Sequence, residues 1–173
     1  VSCDGPRANR PGEAALCRAV QRELAAIDWP CRLRTRFLKR NVGCGLGPST
    51  AVSWALKEAE ELIVLEDDCI PHPAFFPYCA ELLARFRDDP RVMAVTGCNF
   101  FPGHAPTAPS YHYSRYTCST GWATWRRAWR HYDFKMRSWP AFRDGGGLEA
   151  CLDDPAAVRF WRRTFDAAWR AEA

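Results

Sequence analysis

Three consecutive acids, Glu66, Asp67 and Asp68, follow the apolar run Leu62, Ile63, Val64, Leu65 without a spacer. Adjacent carboxylates repel one another, so a chain that sets them side by side either leaves them in water or supplies a counter-charge. A hard divalent cation is the usual one. Mg2+ or Mn2+ takes one or two protein carboxylates, keeps several waters and leaves the remaining positions to a substrate diphosphate. The competing reading is a solvated acidic turn capping the next helix, where Asp and Glu are favoured. The apolar run brings the two readings near parity. A run that short is satisfied as a strand buried on both faces, as in parallel sheets, and ligands of open α/β sheets bind at the carboxyl ends of the strands.

Other stretches carry weaker chemistry. Asn41 to Ser49 holds Gly43, Gly45 and Gly47 ahead of a helical pattern running to about Glu61. Such a loop can offer backbone N–H groups and a helix N-terminus to a phosphate, but it lacks the Walker lysine and the dinucleotide spacing, so a tight helix entry is the favoured reading. Gly121-Trp122 sits at an element boundary, which makes Trp122 the better aromatic candidate for a sugar ring; Trp125 and Trp129, at helical spacing, are assigned to the core. Asp88-Asp89 and Asp153-Asp154 both precede proline and read as turns or helix entries. Nine cysteines without a CxxC pair form neither a zinc pattern nor a disulfide framework, and are expected to be reduced, small and mostly buried.

Composition bounds the class. At 173 residues, 47% hydrophobic and 13% aromatic, the chain can bury one sizeable core, and a single domain over 1–173 is expected. The net charge of +4 is mild and its basic residues form no block, which suits an anionic small substrate at least as well as nucleic acid; none is expected as a partner. No apolar run approaches the ~20 residues of a membrane span, and the N-terminus has no signal-like pattern, so the expected setting is cytoplasmic.

The elements that must position these residues alternate. Val1 to Arg7 reads as a strand end entering a turn, so the sequence is expected to begin inside an element, with a first strand upstream. From Pro11 a helix carries Leu16, Val20, Leu24 and Ile27 on a face that packs on a sheet. Leu33, Thr35 and Phe37 alternate with Arg32, Arg34 and Arg36 as a strand with its arginine face outward. Beyond the acids, Phe75, Cys79, Leu82 and Phe86 line a helix, and Val92 to Val95 form a short strand. This order implies a mainly parallel sheet with right-handed crossovers. Residues 99–121 read as a loop and an irregular strand, Gly121-Trp122 opens a helix, 138–154 is loop-like, and a last helix starts near Pro155.

Four motifs in order, Ser2-x-Asp4-Gly5-Pro6-Arg7, Asn41-Val42-Gly43-Cys44, Leu65-Glu66-Asp67-Asp68-Cys69-Ile70-Pro71 and Gly121-Trp122-Ala123-Thr124-Trp125, resemble the bacterial hemolytic-protein-like nucleotide-diphospho-sugar transferases, which are GT-A glycosyltransferases. The acidic motif is similar to that of the Golgi N-acetylglucosaminyltransferase family. The resemblance implies an α/β, Rossmann-like GT-A domain, truncated at both ends. It implies Asp68 as the ligand of Mn2+ or Mg2+, and Asp4, Arg7, Glu66, Asp67, Gly121 and Trp122 as the donor-binding set. Within that set Asp4 would contact the base, Asp67 the ribose or sugar, and Gly121-Trp122 the sugar pocket. The catalytic base is expected beyond Ala173, with Asp166 as the in-chain alternative, although its neighbours better fit a helix preceding the base motif.

The function implied is transfer of a sugar from a nucleotide-diphosphate donor to a hydroxyl of a carbohydrate or glycoconjugate acceptor, with inversion favoured. A nucleotide-sugar-binding domain without turnover is the first rival. A metal-dependent phosphoryl-transfer or nuclease enzyme is the second, and it lacks another carboxylate cluster of similar quality.

Overall fold

The computed structural model describes residues 1–98 and 110–172, and its chain divides into two compact units, Val1–His131 and Tyr132–Ala173. The first is α/β and the described part of the second is helical.

In the first unit, β1 (Ser2–Cys3) is followed by α1 (Glu13–Glu23), a 3-10 turn at Leu24–Ala26, and β2 (Arg36–Phe37). The strands pair in parallel, Ser2 with Arg36 and Cys3 with Phe37. Then come α2 (Gly43–Ala55), β3 (Glu61–Val64), α3 (Phe75–Arg85), β4 (Ala94–Thr96), β5 (Trp122–Trp125) and α4 (Arg126–Trp129). The second sheet has the order β3-β5-β4, with β5 antiparallel to both neighbours. The second unit holds α5 (Trp139–Asp144), α6 (Gly147–Cys151) and α7 (Pro155–Glu172).

The α/β expectation holds, but the sheet is not mainly parallel. Its parallel part is the two-stranded pair, and the three-stranded sheet is antiparallel by every pairing. Since β3 and β4 both oppose β5, they run in the same direction, as a β-α-β crossover through α3 requires. The alternation therefore gives the relative direction of β3 and β4 correctly and misses the strand inserted between them. Trp122–Trp125 is that strand, not the opening of a helix; Ala123, Thr124 and Trp125 are buried because both sheet faces and both edges are covered there. No strand occurs among the described residues 110–121, and 138–154 contains two short helices where a loop is expected.

β3 is half-buried along its whole length rather than buried on both faces, because it is an edge of its sheet. The α1 face is also less buried than its periodicity implies: Leu16 is 68% and Val20 58% exposed, and the two-stranded pair beneath is too small to cover an 11-residue helix. At β2 the expected facing is inverted. Phe37 is exposed, whereas Arg36 turns inward and donates to Ser2 Oγ at 3.2 Å and Thr50 Oγ1 at 3.0 Å. Of the cysteines only Cys79 is buried; Cys31, Cys44 and Cys151 are exposed and the rest are half-buried, which corrects the expectation of a mostly buried set.

The core of the first unit is built from Cys79, Leu82, Leu83 and Phe86 of α3 and its end, packed on Val95, Ala123, Trp125 and Ala128. Trp125 is 2% exposed, and its indole N–H donates to the Leu83 carbonyl at 3.1 Å, so the one polar atom of this large side chain is satisfied inside. In the second unit, Trp139, Leu148 and Val158 make a smaller core, with Trp161, Phe165 and Trp169 of α7 against it.

Candidate functional site

The acids leave β3 through a turn in which the Cys69 N–H donates to the Glu66 carbonyl at 3.0 Å. Glu66, Asp67 and Asp68 are all exposed. Asp68 Oδ1 accepts a 3.6 Å contact from the Cys69 thiol, and the Glu66 and Asp67 carboxylates have no hydrogen-bonding or ionic partner among the described residues. A strand end that ejects three carboxylates into water avoids their desolvation and keeps their oxygens available.

Strand register brings the Gly-Trp segment to the same end. Val64, the last residue of β3, pairs with Trp122, and so does Thr96, the last residue of β4. Gly121 follows at the rim, at φ 65°, where glycine is favoured; its carbonyl accepts from the Gly97 N–H at 3.1 Å. The Trp122 ring is half-buried against Trp129, 5.9 Å between centroids, and Trp129 is tied by its indole N–H to Ser53 Oγ at 2.9 Å. Glu66, Asp67, Asp68, Gly121 and Trp122 thus share one sheet end.

Asp4 and Arg7 belong to the other sheet and are otherwise engaged. Asp4 Oδ1 accepts from the N–H groups of Gly5 at 2.8 Å and Val42 at 3.0 Å, and Oδ2 accepts from Gly43 N–H at 3.2 Å. Val42 and Gly43 open α2, so this carboxylate satisfies donors that a helix start leaves without partners and adds negative charge where the helix dipole favours it. The Gly-rich segment is therefore the first turns of α2 itself, and its anion is supplied from within the chain. Gly5 lets the two segments touch: a Cβ there would lie 2.4 Å from the Arg40 backbone nitrogen. Arg7 forms an ion pair with Glu13, which lowers the Glu13 carboxyl below its ordinary range by hydrogen bonds from the Arg7 side chain first and its backbone N–H second. No hydrogen bond or ion pair links Asp4 or Arg7 to the acid turn among the described residues.

Asp166 lies on α7 in the second unit, where Oδ1 accepts from the Trp139 indole at 2.9 Å and from the Arg143 guanidinium at 3.0 Å. Trp139 and then Arg143 hold its carboxyl below the usual range. A carboxylate so engaged is a poor proton acceptor for a hydroxyl. An open hollow on the same helix, lined by Ala156, Arg159, Phe160, Arg163 and Thr164, includes none of the candidate residues.

Among the described residues, no three His, Cys, Asp or Glu side chains form a group that could hold a metal ion. Carboxylate oxygens at Asp67 and Asp68 fit Mg2+ or Mn2+ in kind, and a site needing only one or two protein ligands needs no cage. Such a site would be completed by a diphosphate and water.

The sequence reading overlooked two half-buried cysteines, one just after β4 and one just before β5: burial pushes the Cys98 thiol up, and the Thr120 backbone holds the Cys118 thiol down. Nothing in the cysteine spacing marks either of them. No known protein family, no curated protein and no solved structure matches the chain. No helix among the described residues is long and apolar enough to cross a membrane.

Proposed function

We propose that the chain is a metal-dependent glycosyltransferase domain of GT-A type, moving a sugar from a nucleotide diphosphate to an acceptor hydroxyl with inversion. The observation that carries this reading is the shared sheet end: exposed carboxylates at Glu66, Asp67 and Asp68 beside the Gly121-Trp122 rim. The roles it uses, at Asp67, Asp68, Gly121 and Trp122, are those the resemblance implies, whereas Asp4 and Arg7 are engaged within the chain and stand outside it. Asp68 holds Mn2+ or Mg2+, with Asp67 beside it to accept hydrogen bonds from donor hydroxyls. When bound, the cation supplies Lewis-acid neutralisation of the departing diphosphate. Trp122 offers the exposed part of its ring to the sugar, and Trp129 and Ser53 hold that ring in place.

The reading is tested by calorimetric titration of the chain with a panel of nucleotide-diphosphate sugars, with and without Mn2+. Binding of one donor only with the metal is expected. Asp68→Asn should weaken it by tenfold or more, about 1.4 kcal/mol, at an unchanged melting temperature, because Asp68 is exposed. Equal binding with and without Mn2+ would remove the metal role, and preference for an oligonucleotide would favour phosphoryl chemistry. A second reading, a nucleotide-sugar-binding domain without turnover, draws on the engagement of Asp166 by Trp139 and Arg143. Donor hydrolysis or transfer at an enzymatic rate would exclude it.

A further inference from the structure

Leu65 follows β3, Phe75 opens α3, and both reach the same rim glycine: Phe75 Cζ and Leu65 Cδ2 lie 3.5 and 3.6 Å from where a Cβ of Gly121 would stand. Phe75 is also seated on Gly97, where a Cβ would come 2.5 Å from its ring, and Phe76 packs edge-on against it at 5.6 Å between centroids. The loop 66–74 therefore leaves and returns at the Gly121-Trp122 rim. Two turns hold it, one closed by the Cys69 N–H on the Glu66 carbonyl at 3.0 Å and one by the Phe75 N–H on the His72 carbonyl at 2.8 Å. Between them stands Ile70, 98% exposed, with Leu65 before the loop and Phe76 after it exposed as well. A lone exposed aliphatic is ordinary, but apolar side chains gathered along one anchored loop beside a candidate site mark a place that something covers.

On the glycosyltransferase reading, on which this rests, the donor is a poor match for these side chains. Its diphosphate and hydroxyls need a cation and hydrogen bonds, its sugar ring has the Trp122 face, and a flat base gains little from a branched aliphatic such as Ile70. A membrane is disfavoured by Glu66, Asp67 and Asp68 on the same loop, which an anionic lipid surface repels. The remaining substrate is the acceptor. We propose that the acceptor is an amphiphile, a sugar whose anomeric oxygen carries an alkyl chain, and that Ile70, Leu65 and Phe76 bind that chain. The same loop then serves both substrates, holding the donor's cation through its carboxylates and the acceptor's chain through Ile70. Acceptor specificity follows from this division, because a free oligosaccharide offers nothing to cover the apolar side chains.

The test uses the whole chain with Mn2+ and the nucleoside diphosphate of whichever donor binds in the calorimetric panel. It is titrated with monomeric octyl and methyl glycosides of glucose, galactose and N-acetylglucosamine, and saturation-transfer NMR reads which ligand protons touch the protein. At least one octyl glycoside is expected to bind roughly tenfold tighter than its methyl counterpart, the gain from burying about two methylenes, with saturation reaching the alkyl protons. Ile70→Ser should remove most of that preference at an unchanged melting temperature, since Ile70 lies almost wholly in water, and Ile70→Leu should keep it. Equal binding of octyl and methyl glycosides by a chain that does bind its donor would overturn the proposal and leave the glycosyltransferase reading standing, whereas a chain that binds no donor loses both. Two further outcomes would also overturn it: weaker nucleotide binding in Ile70→Ser, which assigns Ile70 to the base, and binding to phosphatidylcholine vesicles without any preference for the octyl glycosides, which assigns the loop to a membrane.

Discussion

At Asp4 one carboxylate replaces the external anion that a glycine-rich helix start could otherwise accept. Its oxygens receive the N–H groups of Gly5, Val42 and Gly43. Asp4→Ala is therefore expected to lower stability by about 1–2 kcal/mol without any ligand, the usual cost of deleting a helix cap, read as a lower urea midpoint. Asp4→Asn should fall between, keeping one acceptor while turning an amide N–H2 toward the same donors. Loss of nucleotide affinity at an unchanged midpoint would instead assign Asp4 to the donor. The same pattern, a strand-end acid beside Gly-Pro, serves either role in the sequence, and only the position of Val42 and Gly43 separates them. The acid triplet was more legible, because an exposed turn after a strand needs no long-range partner to be read. Arg7, by contrast, could not be placed from sequence, since its pairing with Glu13 depends on how the intervening turn folds.

Among the elements, β5 organises the first unit, and its two following arginines diverge. Arg126 donates to the carbonyls of Leu56 at 2.6 Å and Ala59 at 3.0 Å beyond the end of α2, while Arg127 donates to those of Phe86 at 2.7 Å and Val92 at 3.0 Å beyond the end of α3. Each satisfies carbonyls that a helix end leaves open and sets a cation where the dipole favours it. Arg127 also lies 4.4 Å from the centroid of the Trp125 ring. Trp125→Ala should cost about 3–5 kcal/mol by leaving a core cavity. Trp125→Phe should cost about 1–3 kcal/mol, mostly from the Leu83 carbonyl left unpaired, and chemical denaturation of both variants orders them. A Phe variant as damaging as Ala would mean that the hydrogen bond both lose outweighs the ring volume that Phe restores. The sequence hid this strand because Trp122 to Trp125 is covered at both edges and lacks the alternation of a half-buried strand, while Arg126 to Trp129 directly after it supplies a helical pattern. α3 was legible for the opposite reason: its apolar stripe packs on one face, and Cys79, Leu82 and Leu83 are buried as its period requires.

In both units, acidic side chains among the described residues are paired with arginine, mostly within four residues in sequence, and this sets the response to acid. Hydrogen bonds from Arg91 bring the Asp89 carboxyl down from 3.8 to about 2. Arg137 lowers Asp133, Arg143 lowers Asp144, and Trp139 with Arg143 lowers Asp166. In each case the folded state binds its proton less readily than the unfolded chain, so the contribution to stability is present above the ordinary carboxyl value and is lost as pH falls through the folded one. For Asp89 that window runs from 3.8 down to about 2. The melting temperature should accordingly fall between about pH 4 and pH 2, and these exposed pairs should matter less as added salt screens them. Asp166→Asn separates its two partners: an amide oxygen can still accept from the Trp139 indole, but the charge opposite Arg143 is gone. That variant should melt lower at neutral pH and show a shallower acid limb than the unmutated chain, measured by circular dichroism through the same pH series. Parallel acid limbs in the two proteins would show that the Asp166–Arg143 pair contributes nothing to folding, and would leave the carboxylate available for another role.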